Sequence, residues 1–290
     1  MSASAPRYTT LISAAELRRL PDAFIVDCSH DLADPDAGAR SYAAGHIPGA
    51  IFQHLDRDLS ARPSGRNGRH PLPDADAFAR HLAALGLRRG QQVVAYDHAG
   101  GGFAVRLWWM LRWLGHDAVA VLDGGWAAWV AAGGEVQTET PPPRPAGDFV
   151  RHAALAGRVR VEDVLANLET GRHLVLDARA PERYAGEVEP LDPVAGHIPG
   201  AKNRFFQTNL QPDGTFKSRE QLRTEFAALL EDWDPRDVIH HCGSGVSGCH
   251  NLLAMTHAGL DGSLLYPGSW SEWCADAARP VARGRAPRGR

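Results

Sequence analysis

Ala44-Gly-His-Ile-Pro-Gly-Ala50 recurs as Ala195-Gly-His-Ile-Pro-Gly-Ala201, 151 residues further on (195 − 44 = 151). Seven identical residues at the same relative place in two halves of a chain mark an internal duplication. The flanking pattern repeats with them. Before each copy a short apolar run ends on an aspartate: Ala23-Phe-Ile-Val-Asp27 and Leu174-Val-Leu-Asp177. After each copy comes an amphipathic helix, from Asp74 through Phe78, Leu82 and Leu85 in the first half and over 218–230 in the second. A buried strand follows, Gln92-Val-Val-Ala-Tyr96 matched by Val238-Ile239. Gly124-Gly-Trp126 is matched by Gly268-Ser-Trp270, an offset of 144 (268 − 124 = 144).

A repeat this long is no solenoid unit, so each half is a domain. Strands alternating with helices define an α/β protein of two tandem domains, each a mostly parallel sheet with helices on both faces. In the first half, Ser13-Ala-Ala-Glu16 forms a capping box ahead of Leu17. A polar loop leads from Asp27 to the repeated heptapeptide. Residues 56–73, rich in Arg, Gly and Pro, are expected to be an exposed excursion. Phe103–Leu114 is an apolar helix, Val119–Leu122 a third strand, and a further helix runs from Trp126 to about Ala132. Pro141-Pro-Pro143 excludes helix and central strand. The expected boundaries are 8–136 for the first domain, 137–152 for a linker and 153–283 for the second domain.

At 290 residues, 44% hydrophobic and 22% charged, the chain has the composition of a globular protein of two ordinary domains. Its net charge of −3 gives no basis for binding nucleic acid or a membrane surface. Four scattered cysteines, Cys28, Cys242, Cys249 and Cys274, make no disulfide framework. A reducing, cytoplasmic setting is therefore expected. Met1–Arg7 lacks the apolar core of a signal peptide, and the basic tail Arg279–Arg290 reads as a frayed terminus.

The chemistry concentrates in Val238-Ile-His-His-Cys-Gly-Ser-Gly-Val-Ser-Gly-Cys-His-Asn251. Val238 and Ile239 end a strand, and Asn251 opens an apolar helical run. Between them lies a Gly-rich loop headed by Cys242. Gly243, Gly245 and Gly248 let the backbone turn tightly and aim N–H groups inward, and the following helix adds the positive end of its dipole. Such a loop favours a thiolate. Cys242 is the candidate nucleophile, although a lone cysteine at a strand end is most often a small buried hydrophobe.

Cys242-Gly-Ser-Gly-Val-Ser247 resembles the active-site loop of the rhodanese-like sulfurtransferases, and of their mercaptopyruvate-using branch in particular. The thiosulfate branch places Arg-Lys where this chain has Gly243-Ser244. The resemblance extends from about Tyr8 to about Ala282 and includes the repeated heptapeptide and Trp270-Ser-Glu-Trp273. It implies an inactive N-terminal copy and a C-terminal copy that carries a persulfide on Cys242. Aligning Val93–Asp97 with Val238–Cys242 puts Asp97 opposite Cys242, and a carboxylate cannot take up sulfur. The resemblance further implies that the amides of Gly243, Ser244, Gly245, Val246 and Ser247 stabilise the thiolate and persulfide. Ser244 and Ser247 could add hydroxyl donors or act only as loop caps. Arg183, before Tyr184, would bind the anionic end of the donor. Arg179, near Asp177, reads as structural. The second substrate arginine implied ahead of the heptapeptide is missing, and Pro190-Leu-Asp-Pro193 stands there. Asp56 or Asp58 is a candidate aspartate from the first domain, with a plain surface carboxylate as the alternative. His46 and His197 read as turn-fixing residues, the paired tryptophans as core anchors, and Ser269 with Glu272 as a capping box.

The function so implied is sulfur transfer from a small anionic donor, 3-mercaptopyruvate in preference, to a thiol or cyanide. The acceptor thiol could be a small molecule or a thioredoxin-like protein. A thiosulfate:cyanide sulfurtransferase and a non-enzymatic sulfur-relay module are the alternatives. No cofactor and no metal are expected. A cysteine phosphatase needs an arginine six residues after the cysteine, where Gly248 stands. Zinc on His240, His241, Cys242, Cys249 and His250 lacks the short paired-cysteine spacing. A cysteine hydrolase would need a distant histidine, which sequence alone leaves open.

Overall fold

The computed structural model describes residues 7–285. The first six residues and the end of the basic tail, 286–290, lie outside the described residues. The chain divides into two compact units. One holds the residues up to Leu59, Pro73–Leu155 and Pro212–Phe216; the other holds Ser60–Leu72, Ala156–Gln211 and the chain from Lys217 onward.

The first unit has strands β1 (Leu11–Ile12), β2 (Phe24–Asp27), β3 (Ile51–Phe52), β4 (Val93–Tyr96) and β5 (Val119–Leu122). They pair in the order β1-β5-β4-β2-β3, all parallel. Its helices are α1 (Ala14–Leu17), α2 (Ala37–Ala44), α3 (Ala75–Ala84), α4 (Ala104–Trp113) and α5 (Gly125–Ala131). The second unit repeats the plan with β6 (Gly157–Arg158), β7 (Leu174–Asp177), β8 (Lys202–Asn203), β9 (Val238–His241) and β10 (Leu264–Leu265), ordered β6-β10-β9-β7-β8 and again all parallel. Its helices are α6 (Val161–Thr170), α7 (Pro181–Ala185), α8 (Arg219–Leu230), α9 (Gly248–His257) and α10 (Ser269–Trp273).

Both faces of each sheet are buried, as a parallel sheet requires. In the first unit Val94, Tyr96, Ala120 and Leu122 join Leu17, Tyr42 and Trp129 in one core cluster. The alternate residues Val93, Ala95, Val119 and Val121 must then face the other side, and α4 packs there on β4 and β5. Ala104–Leu111 of α4 is buried without a break, which is why its sequence is apolar on every face apart from the buried Arg106. Each such aliphatic side chain contributes about 1.5–3 kcal/mol by leaving water.

The repeated heptapeptide owes its composition to a clamp present in both units. The Tyr42 hydroxyl donates to the Ala50 carbonyl at 2.7 Å, and His46 Nδ1 donates to the Tyr42 carbonyl at 2.8 Å. Tyr184 and Ala201 (2.5 Å) and His197 and Tyr184 (2.8 Å) do the same. Each imidazole stacks on its tyrosine with 3.9 Å between ring centroids. A carbonyl only accepts, so Nδ1 carries the proton in both. The two histidines fix turns, as their recurrence in both halves suggests.

The expected exposed excursion over 56–73 needs correcting. Ser60 and His70 are buried, and Ser60–Leu72 packs as part of the second unit. The polar loop after Asp27 contains α2, whose Gly38 closes to the Ser29 carbonyl. The two-residue strands carry too short a pattern to announce themselves. The Pro-rich stretch after Gln137 runs along the first unit. There the Gly147 N–H donates to the Ala83 carbonyl at 2.8 Å, Phe149 is buried, and the Arg144 guanidinium lies 5.1 Å from the Phe24 ring centroid.

His240, in β9, is fully buried, and neither ring nitrogen has a hydrogen-bond partner among the described residues. Burial, with His241 beside it, pushes its pKa down to about 3. The unfolded histidine takes its proton near 6.5, so the unfolded chain binds more protons across that window. Stability is thus fully present above pH 6.5 and falls on acidification, by up to about 1.4 kcal/mol per pH unit for this one site. His240→Leu is expected to remove that share of the slope and to hold or raise stability at pH 7. Urea midpoints of both proteins from pH 7 to pH 4 check it, and parallel curves would reject the assignment.

Candidate active site

β9 ends at His241, and residues 242–247 turn the chain into α9. The helix begins at Gly248 rather than at Asn251, because Cys249 and His250 already donate backbone N–H groups to Val246 and Ser247. Cys242 is 2% exposed. The Gly245 N–H donates to its Sγ at 3.2 Å. The Cys242 N–H donates to Ser269 Oγ at 3.1 Å, while its carbonyl accepts from the Trp270 N–H at 3.0 Å. The Gly243 carbonyl accepts from the Ser271 N–H at 2.8 Å. The start of α10 therefore pins the loop at both of its first two peptides.

Two backbone positions are special. Gly245 has φ +77°, and a Cβ there would lie 2.1 Å from the Pro267 carbonyl oxygen, so no other residue fits. Ser269 has φ +55°, a conformation its first-unit counterpart Gly125 also adopts at +55°. A serine held in this region is strained by about 1 kcal/mol or more, and here its hydroxyl binds the Cys242 N–H and donates to the Tyr266 carbonyl at 2.9 Å. This replaces the expected Ser269–Glu272 capping box: the N-cap of α10 is Gly268, with no side-chain cap.

The loop side chains separate in role. Ser244 is buried, and its hydroxyl lies 2.7 Å from His70 Nδ1. Ser247 is half-buried at the N-cap of α9 and makes no capping bond. Val246 is buried, as is Cys249, whose thiol donates to the Gly245 carbonyl at 3.5 Å.

Charges surround the loop in pairs. Asp177, at the end of β7, is fully buried and takes the Arg179 guanidinium at 2.6 Å. Burial works to raise this carboxyl, but Arg179 and then His241 override it and hold it at about 2. The Arg179 guanidinium also lies 4.8 Å from the Trp270 ring centroid, which fits its structural reading. Arg183, on α7, binds Glu189 at 2.5 Å and Asp192 at 3.4 Å. Arg69 binds the other oxygen of Asp192 at 2.6 Å, and its backbone N–H donates to Ser271 Oγ at 2.9 Å. A Cβ built on Gly243 would lie 3.1 Å from Arg69 Nη2 and 3.5 Å from Arg183 Nη1.

Sequence reasoning missed Arg69, His70, Ser269, Glu189 and Asp192. None carries a motif: Arg69-His70 stands in a stretch of Gly, Pro and Arg, and Asp192 stands where an arginine was sought. Asp56 lies in the first unit, exposed, with its N–H on His54 Nδ1 at 3.0 Å; Asp58 accepts the His54 N–H at 2.7 Å. His30, His54 and Asp56 are the one group of three potential metal ligands among the described residues. Both His54 nitrogens are already engaged, Nε2 by the Pro35 carbonyl, which leaves the ring no lone pair for an ion.

The first unit shows the same turn with a different head. The Asp97 carbonyl accepts from the Trp126 N–H at 3.0 Å, as Cys242 does from Trp270, so the two residues occupy equivalent places. The Asp97 carboxylate collects four backbone N–H groups: Ala99 (2.7 Å) and Gly101 (2.9 Å) on Oδ1, Phe103 and Ala104 (both 2.8 Å) on Oδ2. This turn is built to hold an anion.

A duplicated parallel α/β domain with one thiol and one carboxylate heading the two equivalent turns defines a tandem-domain protein whose copies differ at that head residue. The chain belongs to the rhodanese-like sulfurtransferases: the Rhodanese-like domain family matches it twice, over residues 13–132 and 160–276. It is 48% identical over 283 residues to a probable 3-mercaptopyruvate sulfurtransferase of Pseudomonas aeruginosa, covering 97% of this chain and 99% of that one. It is 36% identical over 241 residues to the thiosulfate sulfurtransferase of Bos taurus, covering 81% and 79%. The solved 3-mercaptopyruvate sulfurtransferase from Leishmania major superposes with a TM-score of 0.81 at 33% identity, over 91% of this chain and 74% of that one. No helix among the described residues is long and apolar enough to cross a membrane.

Gly245→Ala is expected to cost about 2–4 kcal/mol, since it adds both a left-handed alanine and a clash with the Pro267 carbonyl. Denaturant unfolding measures it, and a loss below 1 kcal/mol would mean that the turn relaxes freely.

Proposed function

We propose that this protein moves a sulfur atom from 3-mercaptopyruvate, through a persulfide on Cys242, to an acceptor thiol or cyanide. The observation that carries the reading is Cys242 Sγ receiving the Gly245 N–H, with the His70-bonded hydroxyl of Ser244 two residues along. The Cys242 thiolate attacks the donor's sulfur and an S–S bond forms. The donor's C–S bond breaks, and its electrons pass into the enolate of pyruvate. The sulfur's proton goes to that enolate carbon, leaving pyruvate and a Cys242 persulfide anion. An acceptor thiolate then attacks the outer sulfur and frees Cys242, a two-step exchange. The acceptor is a small thiol or a thioredoxin-like protein.

Ser244 is the donor for the developing enolate oxygen, and His70 Nδ1 sets the direction of its hydroxyl and can relay a proton. The persulfide has the reach of an aspartate side chain, Cβ–Sγ–Sδ against Cβ–Cγ–Oδ. The four N–H groups on Asp97 align by sequence with those of Ser244, Val246, Gly248 and Cys249; the last is already given to the Val246 carbonyl, and the other three support an anionic persulfide in the second turn. Arg183 takes the donor's carboxylate. Glu189 and Asp192 balance the nearby guanidinium charge, so the site suits a monoanion better than the dianion thiosulfate. Four unpaired thiols fit a reducing, cytoplasmic setting.

Cys242→Ser is expected to abolish transfer while leaving unfolding unchanged within about 1 kcal/mol, and Cys249→Ser to retain it. Mass spectrometry after donor treatment should find one added sulfur on Cys242; sulfur on Cys28, Cys249 or Cys274 instead defeats the mechanism. For donor choice, kcat/KM is expected to favour mercaptopyruvate over thiosulfate by about tenfold or more, the worth of one charge-assisted contact. A preference for thiosulfate would transfer the protein to the second donor class.

A further inference from the structure

We propose that Ser269 is a positioning residue for Cys242: its hydroxyl holds the amide of the nucleophile, and the chain keeps it there despite a strained backbone. The inference rests on the reading of Cys242 as the sulfur-carrying thiol and adds a residue 27 positions further on, outside the loop.

The first unit sets the standard for this place. Gly125 adopts φ +55° there, and a Cβ on it would lie 2.4 Å from the Asp97 carbonyl oxygen, so that turn admits glycine alone. Ser269 takes the same φ in the second unit, with the Trp270 N–H on the Cys242 carbonyl at 3.0 Å just as the Trp126 N–H lies on that of Asp97. Glycine would satisfy this backbone without strain. The serine is therefore to be explained by its hydroxyl. That group is buried with the rest of the residue, accepts the Cys242 N–H at 3.1 Å and donates to the Tyr266 carbonyl at 2.9 Å. It is the one acceptor for the Cys242 N–H among the described residues.

The two head residues need different supports. Asp97 is held through its carboxylate by four amides of its own turn. Cys242 has one such bond, from the Gly245 N–H to Sγ at 3.2 Å, so its sulfur is placed mainly by its own backbone. That backbone is fixed at both ends by the start of α10. Ser269 Oγ takes the N–H, and the Trp270 N–H, joined by His241 Nδ1 at 3.2 Å, binds the carbonyl. What remains free is rotation about Cα–Cβ. Removing the hydroxyl leaves a buried N–H without an acceptor, and the residue must shift or admit water to satisfy it. Either change moves Sγ off the Gly245 N–H, the group that steadies the thiolate. Strained backbone persists where the contact it secures is used.

Ser269→Ala and Ser269→Gly separate the hydroxyl from the strain, since both remove the first and only glycine relieves the second. The urea midpoint is expected to fall in the alanine variant and to recover, in whole or in part, in the glycine one. Sulfur chemistry should not recover with it. In both variants the single-turnover rate of pyruvate release is expected to drop about tenfold, the worth of one hydrogen bond to a buried amide, with the half-saturating mercaptopyruvate concentration unchanged. Alkylation of Cys242 by the uncharged reagent iodoacetamide, near neutral pH and with no donor present, should slow by a similar factor. A wild-type alkylation rate in either folded variant overturns the proposal. If the wild type releases no pyruvate while alkylation still slows in both variants, the donor reading fails and the positioning role stands. If pyruvate release and alkylation are equal in all three proteins, the donor reading stands and Ser269 is only a structural residue.

Discussion

Backbone N–H groups turned inward at the end of a buried parallel strand must meet an acceptor, because leaving one without a partner costs about 1–3 kcal/mol. The turn after the central strand of each unit creates that demand, and the head residue answers it. Asp97 answers with a permanent carboxylate that saturates four amides. Cys242 offers a single sulfur that engages one, at Gly245. The first arrangement is complete. The second has amide capacity to spare, which is what the proposed persulfide, an anion one atom longer, would need. The contrast between the two copies thus reduces to how much of the same cradle the head residue fills.

The other constraint is electrostatic. Asp177, Glu189 and Asp192 are each nearly inaccessible, and each is matched by an arginine: Arg179 on the first two, Arg183 on the last two, Arg69 on the last. Such a chain of shared carboxylates orients guanidinium groups more firmly than isolated pairs would, since fixing one partner restricts the next. Buried charge of this kind adds little net stability, and its use is geometric.

The fold was legible because its signals were long or repeated. The duplicated heptapeptide, the four-residue apolar strands and the largely apolar α4 left few alternatives for class or order. The two-residue strands β1, β3, β6, β8 and β10 were not, since pairing in a sheet, not local pattern, makes them strands. Within the site, Cys242 and its glycines were readable because close turns and thiol chemistry restrict residue type. Arg183 drew attention through the motif around it. Arg69 and His70 were hidden because their surroundings read as a solvated Arg/Gly/Pro excursion, and their environment is contributed by residues more than a hundred positions away. Ser269 was misread for a related reason: Ser-x-x-Glu matches a capping pattern, and only the backbone angle reveals that its hydroxyl turns toward Cys242.

The packing of Ser60–Leu72 with the second unit, and of Pro212–Phe216 with the first, bears on heredity as much as on shape. In a simple tandem array either copy can be discarded by one deletion, because each gene segment encodes a whole body. Here the segment encoding everything after the Pro run holds Cys242 but lacks His70, the histidine bonded to Ser244. The first half of the sequence thus supplies a segment that packs in the second unit. Loss of the first half would strip the second unit of Ser60–Leu72 and of the His70–Ser244 bond, and the exchange works as a ratchet that keeps a duplicated gene double.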